Sequence, residues 1–319
     1  MKEVKLPDCR QRGAAFFLAM EEWVAHNMPA GEYCFWWVVP PTVVFGRNQD
    51  MEAEVNTAYC REHGINMVRR RSGGGCIYAD GHNIMTSFVT PDTDVTTTFA
   101  DFTRRIAAQL RKMGIDAEAT GRNDIAVGGR KISGNAFYHL PGRSIVHGTM
   151  LYDTDMTNML MAITPSAAKL ESKQVKSVRS RIVTARELCP HLSFADFRNG
   201  LSHGIADSEI VLTPGQVAEI EELEQRYYDP RYLYGSRRRG NMRTCYIPGV
   251  GTIGVAVTLT ADGKIDSVEL SGDFFDTAEA GLEQVLQGLR GKAPDDIVLP
   301  ENLIPGLSSR ELARMITEN

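Results

Sequence analysis

Apolar residues recur at helical spacing in residues 14–27 (AAFFLAMEEWVAHN), where Phe17, Met20 and Val24 share a stripe and Pro29 stops the run. The pattern predicts an amphipathic helix. Residues 33–39 are aromatic and β-branched, Pro40-Pro41 interrupts them, and residues 42–45 resume strand character before Gly46. A short helix is expected over residues 54–63, ended by Gly64. Strands are expected over residues 66–70, 76–78 and 84–89, with the SGGG run as a tight loop between the first two. Residues 98–113 carry the clearest helical signal, with Phe99, Phe102, Ile106, Leu110 and Met113 on one face before Gly114.

The segment GRNDIAVGGRKISGNAF (121–137) has two alternating stretches around Gly128-Gly129, a two-residue loop suited to a β-hairpin. Its register follows by counting. With Val127 opposite Arg130, Ala126 faces Lys131 and Asp124 faces Ser133, so Asp124 and Lys131 become diagonal neighbours on one face. Ile125, Val127 and Ile132 take the other, apolar face. Residues 145–151 add a further strand.

Residues 156–228 read as mostly helical, and Thr213-Pro214-Gly215-Gln216 forms a capping box with proline in the first turn. The run DPRYLYGSRRRGNMR (229–243) is rich in Gly and Arg and aperiodic, so the boundary of a two-domain chain is placed at 235/236. Beyond it, residues 252–259 alternate, turn at Asp262-Gly263 and pair with residues 265–270. Helices follow over 278–289 and after Ser308, capped with Glu311. The expected fold class is α+β: a larger domain over 1–235 and a small C-terminal α/β accessory domain over 236–319.

Composition narrows the function. The 319 residues are 43% hydrophobic and 24% charged, with 35 basic and 40 acidic side chains for a net charge of −5, which excludes disorder and a collagen-like chain. Residues 236–319 carry 9 basic and 12 acidic side chains, so neither part is a polycation and no nucleic-acid partner is expected. No apolar run approaches a membrane span, and the start MKEVKLPDCRQRG has no apolar signal core, so no membrane partner and a cytoplasmic location are expected. The six cysteines show no zinc or redox spacing and read as free thiols. No coiled-coil pattern calls for an oligomer, and a monomer is expected.

Two features could carry chemistry. Arg69-Arg70-Arg71-Ser72-Gly73-Gly74-Gly75 sets guanidinium groups beside a glycine-rich backbone, which suits a phosphorylated ligand, although no Gly-Lys-Ser/Thr follows and the next element is a strand. A glycine hairpin beside a solvated basic run is the plain structural reading. The Asp124/Lys131 face could hold Mg²⁺ and neutralise phosphate and carboxylate oxygens, or be a surface salt bridge. His147 is either a site histidine or a satisfied core residue, and Trp36 and Trp37 read first as core.

The joint pattern resembles the lipoate protein ligases. FLAMEE (17–22), TVVFGRNQD (42–50), VRRRSGGGCIYADGHN (68–83), GRNDIAVGGRKISGNAF (121–137), HGTMLYDTDM (147–156) and KSVRSRI (176–182) fall in that family's order and spacing. RYLYG and GKIDSVELSGDFF resemble its accessory domain. The resemblance implies a biotin/lipoate protein ligase-like mixed sheet with flanking helices. It also implies a two-step reaction in which lipoate and MgATP form lipoyl-AMP and a lysine of a lipoyl carrier domain then takes the acyl group. The implied acceptors are the carrier domains of 2-oxoacid dehydrogenase complexes and the glycine cleavage H protein.

The resemblance assigns roles to matching residues. Arg70, Gly75, Cys76, Ile77, Tyr78, Asn83 and Lys131 would bind ATP and the adenylate, and Lys131 would be catalytic. Ser72, His147, Trp37, Leu18 and Lys131 would meet lipoate, with Val44 a further candidate for the apolar slot, and Asp124 would hold the metal. The chain departs from the family pattern at Ala79, Val38-Val39 and Arg71. Competing readings are a lipoyl or octanoyl transferase working through a cysteine thioester, a biotin ligase, and a non-catalytic lipoyl-AMP or nucleotide binding module.

Overall fold

A computed structural model describes residues 1–91, 94–120, 123–163, 180–235, 242–277 and 281–318. In chain order the larger part contains β1 (Lys2–Lys5), α1 (Ala14–Asn27), β2 (Tyr33–Trp37), β3 (Thr42–Phe45), α2 (Met51–Glu54), α3 (Thr57–Glu62), β4 (Asn66–Arg69), β5 (Ile77–Ala79), β6 (Asn83–Thr90) and α4 (Val95–Lys112). There follow β7 (Glu118–Ala119), β8 (Asp124–Val127), β9 (Arg130–Leu140), β10 (Arg143–Leu151), α5 (Met156–Ala162), α6 (Ala185–Leu188), α7 (Phe194–Ile205), β11 (Ser208–Val211), α8 (Pro214–Glu224) and α9 (Pro230–Tyr234). The C-terminal part holds β12 (Arg243–Ile247), β13 (Gly251–Leu259), β14 (Ile265–Gly272), α10 (Leu282–Gln287) and α11 (Ser309–Thr317).

Eight strands form one mixed sheet in the order β11-β1-β2-β6-β10-β9-β8-β7, and β4-β3-β5 form a second, smaller one. One face of the large sheet packs on α1, with Phe35, Trp37, Met85, Tyr138 and Ile145 against Phe17, Leu18 and Met20. The other packs on α4 and α7 through Phe88, Ile106, Leu110, Ile132 and Phe197. Helix α1 therefore has no solvent stripe: every residue from Ala14 to Ala25 is buried, because Val217 and Ile220 of α8 cover the side that the sheet leaves open. The C-terminal domain has its own core, centred on Ile253, Phe274, Leu286 and Ile316 around the sheet β12-β13-β14.

Several expectations change. The helix expected over 54–63 is confined to α3 (Thr57–Glu62), because α2 ends at Glu54 and Asn56 accepts from Tyr59 N and starts α3 afresh. Strand β1, and β11 within the stretch read as helical, pair in parallel, with Lys2 opposite Ser208. β12 begins at the C-terminal end of the run read as linker. In the tail helix expected over 278–289, residues 278–280 lie outside the described residues and the helix spans Leu282–Gln287. Residues 236–241 of the linker and 176–179 of KSVRSRI also lie outside them. All six cysteines are free.

Candidate active site

The hairpin β8–β9 turns at Gly128 and Gly129, both at positive φ (56° and 74°), as its two-residue loop requires. Val127 faces Arg130 and Ala126 faces Lys131, as counted, but Asp124 faces Gly134 rather than Ser133. The register slips because Ile132 is an extra residue in β9, a β-bulge. The slip matters chemically. It puts a residue without a side chain beside Asp124, and Lys131 lies across that gap, where a Cβ on Gly134 would sit 2.5 Å from Lys131 Cε. Lys131 Nζ is 2.7 Å from Asp124 Oδ1. The backbone of Lys131 is clamped from outside the hairpin, its N–H donating to Arg181 O (2.7 Å) and its carbonyl accepting from Val183 N (2.9 Å).

Cross-strand register extends this corner into a line. Asp124 faces Gly134, Gly134 faces Thr149, Thr149 faces Met85, and Met85 faces Trp37. Four strand spacings of about 4.8 Å separate the ends, roughly 19 Å in all. A cleft of about 610 Å³, mouth included, follows the line from Leu18, Trp37, Val44 and Met85 at one end to Asn123, Lys131 and Gly134 at the other. One end is apolar and the other cationic.

The glycine loop forms one wall. Arg70 is buried and turned inward: Nη1 donates to Val44 O (3.1 Å), Nη2 to Gly73 O (2.6 Å) and Gly75 O (2.8 Å), and Nε to Ser72 Oγ (2.8 Å). Burial lowers its pKa to about 10, which leaves it charged at neutral pH. Arg71 is spent on buried Glu22, which also binds Arg226 (3.1 Å) and the Tyr227 hydroxyl (2.7 Å). Arg69 Nη1 holds the carbonyls of Gly46, Arg47 and Gln49.

The predicted residues divide into three sets. Leu18, Trp37, Arg70, Gly75, Cys76, Ile77, Lys131 and His147 line the cleft together. Asp124 stands at its rim, paired with Lys131. Ser72, Tyr78 and Asn83 are buried behind the wall: Ser72 binds Arg70 and His147 Nε2, Tyr78 packs with Val43 and Phe45, and Asn83 binds Tyr78 O and Thr154. Burial pushes the Cys76 thiol up despite the nearby Arg70, which disfavours the thiolate.

Sequence reasoning assigned no role to several wall residues. Asn123 and Asn135 brace each other through Asn135 Nδ2 to Asn123 O (2.9 Å) and Asn123 Nδ2 to Asn135 O (3.2 Å). Gly148 is required beside them, since its Cβ would lie 1.9 Å from Asn135 Oδ1. Both asparagines were visible in the hairpin motif, but nothing local marked them. Phe275 reaches the cleft from the C-terminal domain and stacks on Phe137 with centroids 5.3 Å apart. The same domain docks on the glycine loop, with Gly74 N donating to Phe274 O (3.0 Å) and Asn48 Nδ2 to Asp276 Oδ2 (2.9 Å).

A mixed sheet whose one face carries an apolar slot ending at a lysine–aspartate pair beside a glycine loop defines a small-molecule-binding enzyme domain of the lipoate ligase type. Residues 14–206 match the family model of the lipoyl protein ligase A/B catalytic domain, and the chain belongs to that family. The lipoate-protein ligase LplJ of Bacillus subtilis is 35% identical over 283 residues, 85% of each chain. Among solved structures, a bi-partite lipoate protein ligase of Thermoplasma acidophilum, described with its E2 lipoyl domain, superposes with a TM-score of 0.67 at 25% identity, covering 75% of this chain and 97% of that one. A lipoate-protein ligase A bound with ATP superposes with a TM-score of 0.64 at 23% identity, covering 73% and 98%. Among the described residues, no helix is long and apolar enough to cross a membrane.

Proposed function

We propose that this enzyme activates lipoate with ATP to lipoyl-AMP and transfers the lipoyl group to a lysine of lipoyl carrier domains. The 2-oxoacid dehydrogenase complexes and the glycine cleavage H protein are the carriers the reading favours. The observation that carries it is the line from Trp37 to Lys131. An acid with a long apolar tail fits it in one direction only, with the tail against Leu18, Trp37 and Met85 and the carboxylate toward the ammonium.

The chemistry follows from charge. A carboxylate must approach a polyanionic phosphate, and Lys131 offsets that repulsion as charge builds at phosphorus. Buried Arg70 adds a positive field and holds the carbonyls of Gly73 and Gly75 in the glycine loop. Asp124 Oδ1 is buried and ion-paired with Lys131 Nζ at 2.7 Å, and a carboxylate at the cationic end of the cleft suits Mg²⁺, which takes its other ligands from phosphates and water. When bound, Mg²⁺ would neutralise phosphate charge. The direct test is lipoate-dependent exchange of labelled pyrophosphate into ATP; no exchange by the pure protein overturns the reading.

A thioester route would need Cys76, the cysteine in the cleft wall. Cys76→Ala is expected to keep at least half of the ligase rate, and iodoacetamide at pH 8 should label exposed Cys9 and Cys245 well before Cys76. An acylated Cys76 trapped by mass spectrometry would move the protein to the transferase class.

Residues 236–319 are proposed as a lid over the catalytic domain of residues 1–235. Phe275 roofs the cleft, and a closed roof keeps water from a mixed anhydride. Phe275→Ala should therefore lower the yield of lipoyl-AMP from lipoate and ATP at least several-fold. Transfer from supplied lipoyl-AMP should change little. Equal loss of both half reactions would show that Phe275 is no roof.

A further inference from the structure

Glu21 on α1 is fully buried, and the reaction proposed above does not use it. Two hydrogen-bond branches nevertheless meet on its carboxylate, whose Oε2 also accepts from the Tyr138 hydroxyl at 3.2 Å. In the first, His147 Nδ1 lies 2.9 Å from both carboxylate oxygens, His147 Nε2 lies 2.6 Å from Ser72 Oγ, and Ser72 Oγ accepts from Arg70 Nε at 2.8 Å. Arg70 then holds the carbonyls of Gly73 and Gly75. In the second, Ser87 Oγ donates to Glu21 Oε1 at 2.6 Å and accepts from Trp37 Nε1 at 2.9 Å.

The direction of each bond is determined by chemistry. A guanidinium nitrogen only donates, so the Ser72 hydroxyl proton turns to His147 Nε2, and His147 carries its own proton on Nδ1 toward Glu21. An indole N–H only donates, so Ser87 passes its proton to Glu21 as well. Both branches therefore end on one carboxylate, one starting at the nucleotide wall and the other at the apolar end of the slot. All six side chains are buried, with Trp37, Arg70 and His147 meeting the cleft at one side, so a bond that lengthens inside the network is poorly compensated by water and displacement of one member is passed to the next.

We propose that Glu21 is a positioning residue that couples the acid slot to the glycine loop, so that filling either one raises the affinity of the other. The proposal rests on the ligase reading above. The His147 N–H is shared evenly between Oε1 and Oε2, an arrangement that a small turn of the carboxylate resolves toward one oxygen. A tail seated against Trp37 shifts the indole, Ser87 follows its N–H, and the carboxylate turns. His147, Ser72 and Arg70 then settle the loop carbonyls in one arrangement. The same chain works in reverse when nucleotide seats the loop, since coupling between two ligands is reciprocal.

The experiment is calorimetric titration of the full chain with α,β-methylene-ATP and Mg²⁺, with and without saturating lipoate, and the converse titration. The wild type is expected to bind each ligand more tightly, about 5- to 150-fold, when the other is present. In Glu21→Gln the ratio should fall to about 1, with each ligand still binding alone. Ser87→Ala cuts only the Trp37 branch with a smaller change and should give the same ratio; it decides the matter if Glu21→Gln does not fold. A merely structural role would lower the melting temperature or weaken both ligands and leave the ratio intact. A wild-type ratio of 1, or an unchanged ratio in Ser87→Ala, overturns the coupling. Absence of binding by either ligand to the wild type overturns the ligase reading and the coupling with it.

Discussion

Lys131→Ala is expected to lower lipoate-dependent pyrophosphate exchange by about 10²- to 10³-fold or more, while the protein stays folded. The side chain is partly exposed at the cationic end of the cleft, so its loss opens no core cavity. What is lost is the lysine that the described residues contribute to the cleft wall, positioned where, in the proposed reaction, negative charge would gather as carboxylate oxygen attacks phosphorus. Its neighbour Asp124 is then left at the rim with a buried oxygen and no cation, which adds repulsion to the missing attraction. Lys131→Arg should not restore the rate, because the ammonium lies in a gap that the absent side chain of Gly134 leaves open, and a guanidinium is wider. The effect should fall on kcat more than on the KM for lipoate. Retention of most of the exchange activity by Lys131→Ala would overturn the assignment of the site.

Arg70→Met should have the largest effect on stability and on nucleotide use together. The guanidinium supplies donors to Val44 O, Gly73 O, Gly75 O and Ser72 Oγ in a buried position. Methionine fills much of the volume and satisfies none of them, and each buried acceptor left without a donor costs about 1–3 kcal/mol. A net loss of about 3 kcal/mol would lower the melting temperature by about 6–12 °C. The glycine loop would relax, so the KM for ATP should rise more than that for lipoate. Arg70→Lys should resemble Arg70→Met, because one ammonium cannot reproduce a planar fork that reaches three carbonyls. Thermal melts and the two KM values check this, and an equal rise in both would argue against a nucleotide role for the loop.

The role of Arg70 illustrates where sequence reading stops. The RRRSGGG run reads as three cations available to a phosphate, but Arg69 is consumed by carbonyls of a neighbouring loop, Arg71 by Glu22, and Arg70 by the loop itself. A sequence counts charges; only the fold assigns their donors. Tyr78, Asn83 and Ser72 likewise lie in the right motif but behind the wall: Tyr78 alternates with the cleft-lining Ile77 along β5, Asn83 is held by Tyr78 O and Thr154, and Ser72 by Arg70 and His147.

Local chemistry determined what was legible beforehand. The stripe of Phe99, Phe102, Ile106 and Leu110 specifies α4, the Thr213 and Ser308 capping boxes start α8 and α11, and Gly128-Gly129 closes the hairpin that brings Asp124 to Lys131. Each depends on residues a few positions apart, so period, cap and turn suffice. The pairing of Lys2 with Ser208, the burial of α1 on all sides, the Ile132 bulge that exchanges Ser133 for Gly134, and the arrival of Phe275 over Phe137 depend on partners far away in the chain. These were decided by the tertiary structure, because strand edges, helix faces and spare donors acquire their partners only when remote segments compete for the same buried space.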